Sequence, residues 1–316
     1  MKTVEELLAA AREGRTAAIA RLLSIVENDE PGAAEIIRAT YPHTGRAIKV
    51  GFTGPPGAGK STLVSTLTAA YRKIVPRVAV VAVDPSSPYT GGAILGDRIR
   101  MRDRYLDTGV FIRSMSNRGQ SGGLSRATRR VVSVLDAMGF DVILVETVGV
   151  GQQEIDVVRV VDTVCLLTIP GAGDDIQAIK AGIIEIADVL VVNKADRPGA
   201  DEAVKDLIQM LNLGTPRNDW RTPVIKTSSN TGNGIEDLMS AVQKHREWAT
   251  NGGEAKQRNA DAMRTEIQAL MRGRVLRELE NRMDPQHLES VVSQVVDKQL
   301  DPYGAVDALL GPEIKK

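Results

Sequence analysis

Residues 54–61 read Gly-Pro-Pro-Gly-Ala-Gly-Lys-Ser, and Thr62 follows. The pattern is a glycine, four free positions, then Gly-Lys-Ser, the spacing of a phosphate-binding loop. Gly54, Gly57 and Gly59 let the backbone curl, so that successive N–H groups face a polyphosphate, although Pro55 and Pro56 have none to offer. A helix opening at Lys60 adds positive potential at the same place. Lys60 would reach the β- and γ-phosphates, and the Ser61 hydroxyl would hold Mg²⁺. The bland alternative is a glycine-rich turn that includes Ala58. An apolar strand before the loop and a helical pattern after it argue against that alternative.

The second chemical signal is Asn193-Lys194-Ala195-Asp196, directly after an apolar strand. A carboxylate at Asp196 can accept from guanine N1–H and the exocyclic amine together. Adenine lacks that donor pair, so ATP would leave the carboxylate, read as buried, without partners. A site built on a required hydrogen bond discriminates by roughly 10⁴ or more. Ser228 and Ser229, after the last strand, are placed to supply contacts to the base edge. GTP and GDP are therefore the expected ligands.

A magnesium ion that bridges phosphates takes one or two carboxylates besides Ser61 and waters. Three carboxylates qualify: Asp84, Asp97 and Glu146. Asp97 could instead cap a helix, and Asp84 before Pro85 could merely start a turn. Glu146 ends an apolar strand, where a carboxylate is costly without a task. The expected catalytic set is Lys60, Asp84, Asp97 and Glu146, and the expected metal set is Ser61, Asp97 and Glu146.

These residues need a frame. Apolar runs at 48–53, 78–83, 110–114, 142–146, 164–169, 189–193 and 224–227 alternate with helical stretches. Continuous Val/Ile/Leu runs suit a parallel sheet covered on both faces. The expectation is an α/β, mostly parallel, doubly wound sheet with its ligand at the carboxyl ends of the strands. Helical patterns flank it on both sides. The reading divides the chain into an N-terminal helical arm (1–44), a nucleotide domain (45–250) and a C-terminal helical arm (251–316), with a linker at Asn251-Gly252-Gly253. In the C-terminal arm, one helix spans 254–283, the next runs from Pro285 to about Leu300, and a last one starts at Pro302. Ile267, Leu270, Val275, Leu276 and Leu279 recur at helical spacing with no core of their own. That arm is expected to pack on the main domain or on a second copy.

Residues 171–175 read Gly-Ala-Gly-Asp-Asp, after the fifth strand. Ile176, Ile179 and Ile183 fall at helical spacing, so Gln177 and Lys180 would lie off their face. Two readings stay open: a solvated loop whose Asp174 and Asp175 favour a helix N-terminus, or a segment that contacts nucleotide or partner.

Composition narrows the class. The 316 residues hold 40 Lys plus Arg against 40 Asp plus Glu, so no net charge argues for nucleic acid or an anionic membrane. One cysteine, Cys165, excludes a disulfide framework and is expected in the core. Three scattered histidines offer no cluster for a transition metal. Apolar runs are too short to span a membrane, and the acidic N-terminus lacks a signal core, so a cytoplasmic chain is expected.

Taken together, the segments resemble the GTPases associated with methylmalonyl-CoA mutase, the MeaB family, also called the ArgK or lysine/arginine/ornithine transport kinase family. The likeness extends over nearly the whole chain and rests on 54–62, Val83-Asp84-Pro85-Ser86-Ser87, 92–98, 111–123, Glu146-Thr147-Val148-Gly149-Val150-Gly151-Gln152, 173–182 and 193–196. The resemblance implies a SIMIBI-type P-loop GTPase that works as a homodimer, its C-terminal helices making much of the contact. It implies a chaperone of an adenosylcobalamin-dependent acyl-CoA mutase, gating cofactor loading and protecting the mutase. It also implies a switch made of Gly149, Gln152, Asp174, Asp175, Gln177 and Lys180. One segment departs from the family: Ser116-Asn117-Arg118-Gly119-Gln120 stands where Ala-Thr-Arg-Gly-His is common. Related GTPases serve other acyl-CoA mutases, and the sequence leaves the choice open. The rival readings are a kinase, as the transport-kinase name suggests, and a metal-insertion GTPase.

Overall fold

The computed structural model describes residues 3–85, 107–117, 123–147, 160–171, 184–213 and 219–310. Asp97, Gly149, Gln152, Asp174, Asp175, Gln177 and Lys180 lie outside them, as does the helix expected around Ile176. The chain divides into two compact units, residues 1–259 and 260–316.

The first unit is built on a seven-stranded sheet. Its strands are β1 (Ile48–Thr53), β2 (Val78–Pro85), β3 (Val110–Asn117), β4 (Val142–Thr147), β5 (Thr163–Thr168), β6 (Val189–Val192) and β7 (Val224–Lys226). Their order is β3-β2-β4-β1-β5-β6-β7, and every neighbouring pair is parallel. All seven expected strands are present. β2 and β3 run longer than the sequence reading, because Asp84 and Pro85 stay in register with Ser116 and Asn117. Asp84 is therefore inside a strand and does not follow one.

Helix α4 (Lys60–Tyr71) follows β1, after α1 (Val4–Arg12), α2 (Thr16–Glu27) and α3 (Ala33–Thr40). A capping box starts α1: Thr3 and Glu6 each satisfy the other's backbone N–H. Gly14, in the left-handed region at φ 83°, separates α1 from α2. The N-terminal helices form part of the core. Ile19, Leu22, Leu23 and Val26 cluster with Val131 and Leu135 of α5 (Gly123–Ala137) and with Ile143 and Val145 of β4.

The opposite face of the sheet is covered by α4 and α7 (Ile235–Asn251). Leu63, Val64 and Leu67 meet Leu238, Val242, Phe52, Cys165 and Leu167 there. Between them in the chain, α6 (Ala200–Leu213) packs Ala203 and Leu207 on Leu190 and Val192. Burial on both faces is the reason the strands read as unbroken apolar runs. Cys165 is fully buried, as expected, and burial pushes its thiol pKa up.

α7 is followed almost at once by α8 (Glu254–Arg282). Gly252 caps α7 and Gly253 turns at φ 77°, so the expected linker is a tight helix–helix turn. Within the second unit, the rest of α8 is followed by α9 (Pro285–Val296) and α10 (Pro302–Leu310). Asp284 caps α9 through the Gln286 N–H, with Pro285 at the first helical position. α9 ends four residues short of Leu300, because Lys298 turns into the left-handed region at φ 57°. Val291 and Ala305 are buried, whereas Ile267, Leu270, Met271, Val275 and Leu276 of α8 are exposed.

Candidate nucleotide site

β1 lies between β4 and β5, so the loop after it opens at the carboxyl end of the middle of the sheet. The loop needs its glycines. Gly54 has φ 139°, and a Cβ there would meet the Leu167 carbonyl oxygen at 2.3 Å. Gly59 has φ 87°, and a Cβ would meet Asn193 Nδ2 at 2.6 Å. The helix begins at Lys60, immediately after Gly59, and neither Lys60 nor Ser61 is exposed.

The Lys60 ammonium donates to the Gly54 carbonyl at 2.6 Å and to the Pro55 carbonyl at 3.1 Å. It is folded onto its own loop, with its charge held where phosphate oxygens would compete for it. The Ser61 hydroxyl donates to Glu146 Oε1 at 2.6 Å. Phe52 of β1 pairs with Glu146 of β4, and Glu146 also pairs with Ala82 of β2. A buried serine oxygen and a buried carboxylate oxygen in contact make a hard-oxygen donor pair that fits Mg²⁺. Asp84 lies two residues beyond Ala82 on β2, at the same end of the sheet.

The Asn193–Asp196 motif is tied to the loop after β1. Asn193 is 1% exposed, and its Nδ2 donates to the Ala58 carbonyl at 2.8 Å. Its Oδ1 accepts from Thr227 Oγ1 at 3.1 Å and from Ser229 Oγ at 3.0 Å. The Lys194 ammonium donates to the Gly57 carbonyl at 2.7 Å. Lys194 takes a left-handed backbone, φ 55°, rare for a residue with a side chain. That turn sends Ala195 N–H to the Thr227 carbonyl at 2.9 Å and brings Asp196 beside Ser228.

Asp196 differs from expectation in one respect: it is exposed, not buried. The Ser228 hydroxyl donates to its Oδ1 at 2.7 Å, which is the main reason its carboxyl sits below the usual range. Ser228 thus orients the Asp196 carboxylate, and Ser229 orients Asn193; both act on the Asn-Lys-Ala-Asp motif itself. A cavity of about 770 Å³ opens beside this loop, along β7. Ala195, Asp196, Thr227 and Ser228 form one wall, and Trp220 and Lys244 stand among its other lining residues.

One polar cluster was not visible in the sequence. Asp188, just before β6, receives Arg258 of α8 through two bonds of 2.7 and 3.0 Å. The Val164 N–H donates to Asp188 Oδ2 at 2.9 Å, and the Trp220 indole donates to the Asp188 carbonyl at 2.8 Å. Buried His245 stands 2.8 Å from Thr163 Oγ1 and 3.3 Å from Asp188 Oδ1. Burial alone would raise the Asp188 pKa; His245 and the Arg258 guanidinium outweigh it and bring the carboxyl to about 2. The cluster lies where β5 and β6 begin, at the far end of the sheet from the phosphate loop, and fastens the root of α8 to the sheet.

Comparison with known proteins adds the family. A model described as methylmalonyl Co-A mutase-associated GTPase MeaB matches residues 19–284. The chain belongs to the MeaB family. Relatives include a Pyrococcus horikoshii protein named as a GTPase, 47% identical over 98% of each chain. The GTPase ArgK of Escherichia coli is 36% identical over 81% of this chain and 80% of its own. The mouse mitochondrial methylmalonic aciduria type A homolog is 30% identical over 97% of this chain and 79% of its own. A solved structure titled LAO/AO transport system kinase superposes with a TM-score of 0.70 at 28% identity, covering 98% of this chain and 96% of that one. This MeaB-family chain is a P-loop GTPase, and GTP hydrolysis is its activity. Among its described residues no group of three His, Cys, Asp or Glu side chains could hold a metal ion. No helix of the described residues is long and apolar enough to cross a membrane.

Proposed function

We infer that this GTPase acts as a G-protein chaperone of an adenosylcobalamin-dependent acyl-CoA mutase, methylmalonyl-CoA mutase first among the candidates. The observation that carries the reading is the match over residues 19–284 to a family described by its association with that mutase. Similarity to the mouse methylmalonic aciduria homolog, over 97% of this chain, supports it. In this reading Ser61, Asp97 and Glu146 hold Mg²⁺, Lys60 leaves the loop carbonyls for the phosphates, and Asp196 reads guanine. Asp84 and Asp97 belong to the same catalytic set. Bound Mg²⁺ supplies charge stabilisation for the phosphates. Gly149, Gln152, Asp174, Asp175, Gln177 and Lys180 form the proposed switch toward the mutase.

The proposed working form is a homodimer. Ile267, Leu270, Met271 and Val275 on α8 are exposed at helical spacing, a stripe suited to a second copy.

The test is GTP hydrolysis with and without the mutase, combined with co-elution in the presence of a GTP analogue. Stimulated hydrolysis and nucleotide-dependent co-elution are expected. An unchanged rate with no co-elution would refute the chaperone role. A parallel arm with arginine as phosphoryl acceptor tests the kinase reading: phosphoarginine formation would favour it.

A further inference from the structure

Three adjacent strands, β4, β1 and β5, each end on a buried threonine: Thr147, Thr53 and Thr168. Threonine suits a strand, but valine would fill the same space without a hydroxyl to satisfy. Three buried hydroxyls side by side at the ligand end of the sheet therefore call for a reason.

Two of them meet. Thr147 Oγ1 lies 3.2 Å from Thr53 Oγ1 and 3.3 Å from the Phe52 carbonyl oxygen. Both residues are almost fully enclosed, Thr53 at 0% and Thr147 at 4% exposure. Their neighbours in the chain are the two halves of the phosphate site. Thr53 precedes Gly54, whose carbonyl accepts from Lys60. Thr147 follows Glu146, whose carboxylate accepts from Ser61. Successive side chains of a strand point to opposite faces. Glu146 reaches Ser61 on the α4 face, so Thr147 projects from the other face and grips β1 there.

On its β2 side the end of β4 stays paired, with Thr147 opposite Val83, but toward β1 the ladder stops one residue earlier. The last β1–β4 partners are Phe52 and Glu146, and the chain leaves β4 one residue later. Glu146 is the last β4 residue paired with β1, so what holds Thr147 against β1 also bears on where that carboxylate stands.

We propose that Thr147, through its hydroxyl contact with Thr53 and Phe52, is a positioning residue for GTP hydrolysis: it fixes the end of β4 against β1 and so sets the Glu146 carboxylate against Ser61. The proposal rests on the assignment of Ser61 and Glu146 to Mg²⁺. A loosened Glu146 would weaken metal binding while leaving the base-reading contacts and the loop amides in place. One net hydrogen bond corresponds to about a fivefold change in an equilibrium constant.

The experiment measures the Mg²⁺ concentration for half-maximal GTP hydrolysis, alongside GDP affinity in EDTA and the melting temperature. It uses full-length wild type, Thr147→Val, Thr147→Ser, Thr53→Val and Glu146→Gln. For Thr147→Val the account expects half-saturation to rise about fivefold, with GDP affinity in EDTA unchanged. Thr147→Ser should restore the wild-type value, and Thr53→Val should shift it in the same direction. A purely structural role would move melting and GDP affinity together and leave the Mg²⁺ requirement alone. The proposal is overturned if Thr147→Val leaves half-saturation unchanged while Glu146→Gln raises it. If Thr147→Val does not fold, Thr53→Val decides the matter from the other end of the contact. An unaltered Mg²⁺ dependence in Glu146→Gln would overturn the metal assignment itself.

Discussion

Asn193 Nδ2 and the Ala58 carbonyl oxygen stand 2.8 Å apart, so a residue of the Asn-Lys-Ala-Asp motif holds the glycine-rich loop directly. The two signatures are 135 residues apart in sequence. Gly59 makes the approach possible, since a side chain there would strike Asn193 Nδ2.

Removing that tie should therefore weaken all guanine nucleotides alike. Asn193→Ala frees Ala58 and also deprives the Thr227 and Ser229 hydroxyls of their acceptor. GDP and GTP affinities are expected to fall by about the same factor, roughly tenfold to a hundredfold. Calorimetric titration of both nucleotides checks this. A loss confined to GTP would place Asn193 at the γ-phosphate instead.

Asp196 should behave differently. Asp196→Asn reverses one partner at the base edge, so xanthine nucleotides should gain while GTP loses about a hundredfold or more. Ser228→Ala removes the hydroxyl that orients the carboxylate and should cost less, about tenfold. Competition titrations with XDP and GDP separate the two effects.

The Asp188 cluster gives a pH dependence with a definite sign. The folded Asp188 pKa, about 2, lies below its unfolded value near 4. Its contribution is therefore complete above about pH 4 and is lost as pH falls through about 2. Asp188→Asn should cost about 3 kcal/mol at neutral pH, since it leaves Arg258 without its anion. It should also flatten the acid limb of stability. Urea midpoints between about pH 2 and pH 6 test both statements.

The same cluster dictates where the chain is cut to test the dimer. A cut after Trp248 would remove Arg258 and leave Asp188 as an uncompensated buried charge. A cut after Asn259, the end of the first compact unit, keeps that pair. The truncated chain is expected to be monomeric by light scattering, and Leu270→Glu in the full chain should weaken self-association in the same assay. A truncated chain that is still dimeric would move the interface to the first unit.

The sheet was legible because each of its strands is buried on both faces and so reads as an apolar run. The phosphate and base motifs were legible because their chemistry is local in sequence. Strand order was not, since it depends on crossovers that no local pattern records. The Asp188 cluster was hidden for the same reason: its members come from positions 163, 188, 220, 245 and 258. The available hint was a polar residue at the head of each of two apolar strands, Thr163 and Asp188. Similarly, Asp136 on α5 accepts from the Gly45, Arg46 and Ala47 amides, a link across about 90 residues. The buried setting expected for Asp196 is not met: its carboxylate is exposed and reaches inward through its bond from the buried Ser228 hydroxyl.

The most direct test of the account is the ratio of kcat/KM for GTP over ATP, measured with Mg²⁺ on the wild-type chain. It reads base selection and phosphate chemistry in a single quantity. With Asn193 joining the two motifs and Asp196 proposed to read the base, a ratio of roughly 10⁴ in favour of GTP is expected. Comparable values for the two nucleotides would contradict the account at its centre.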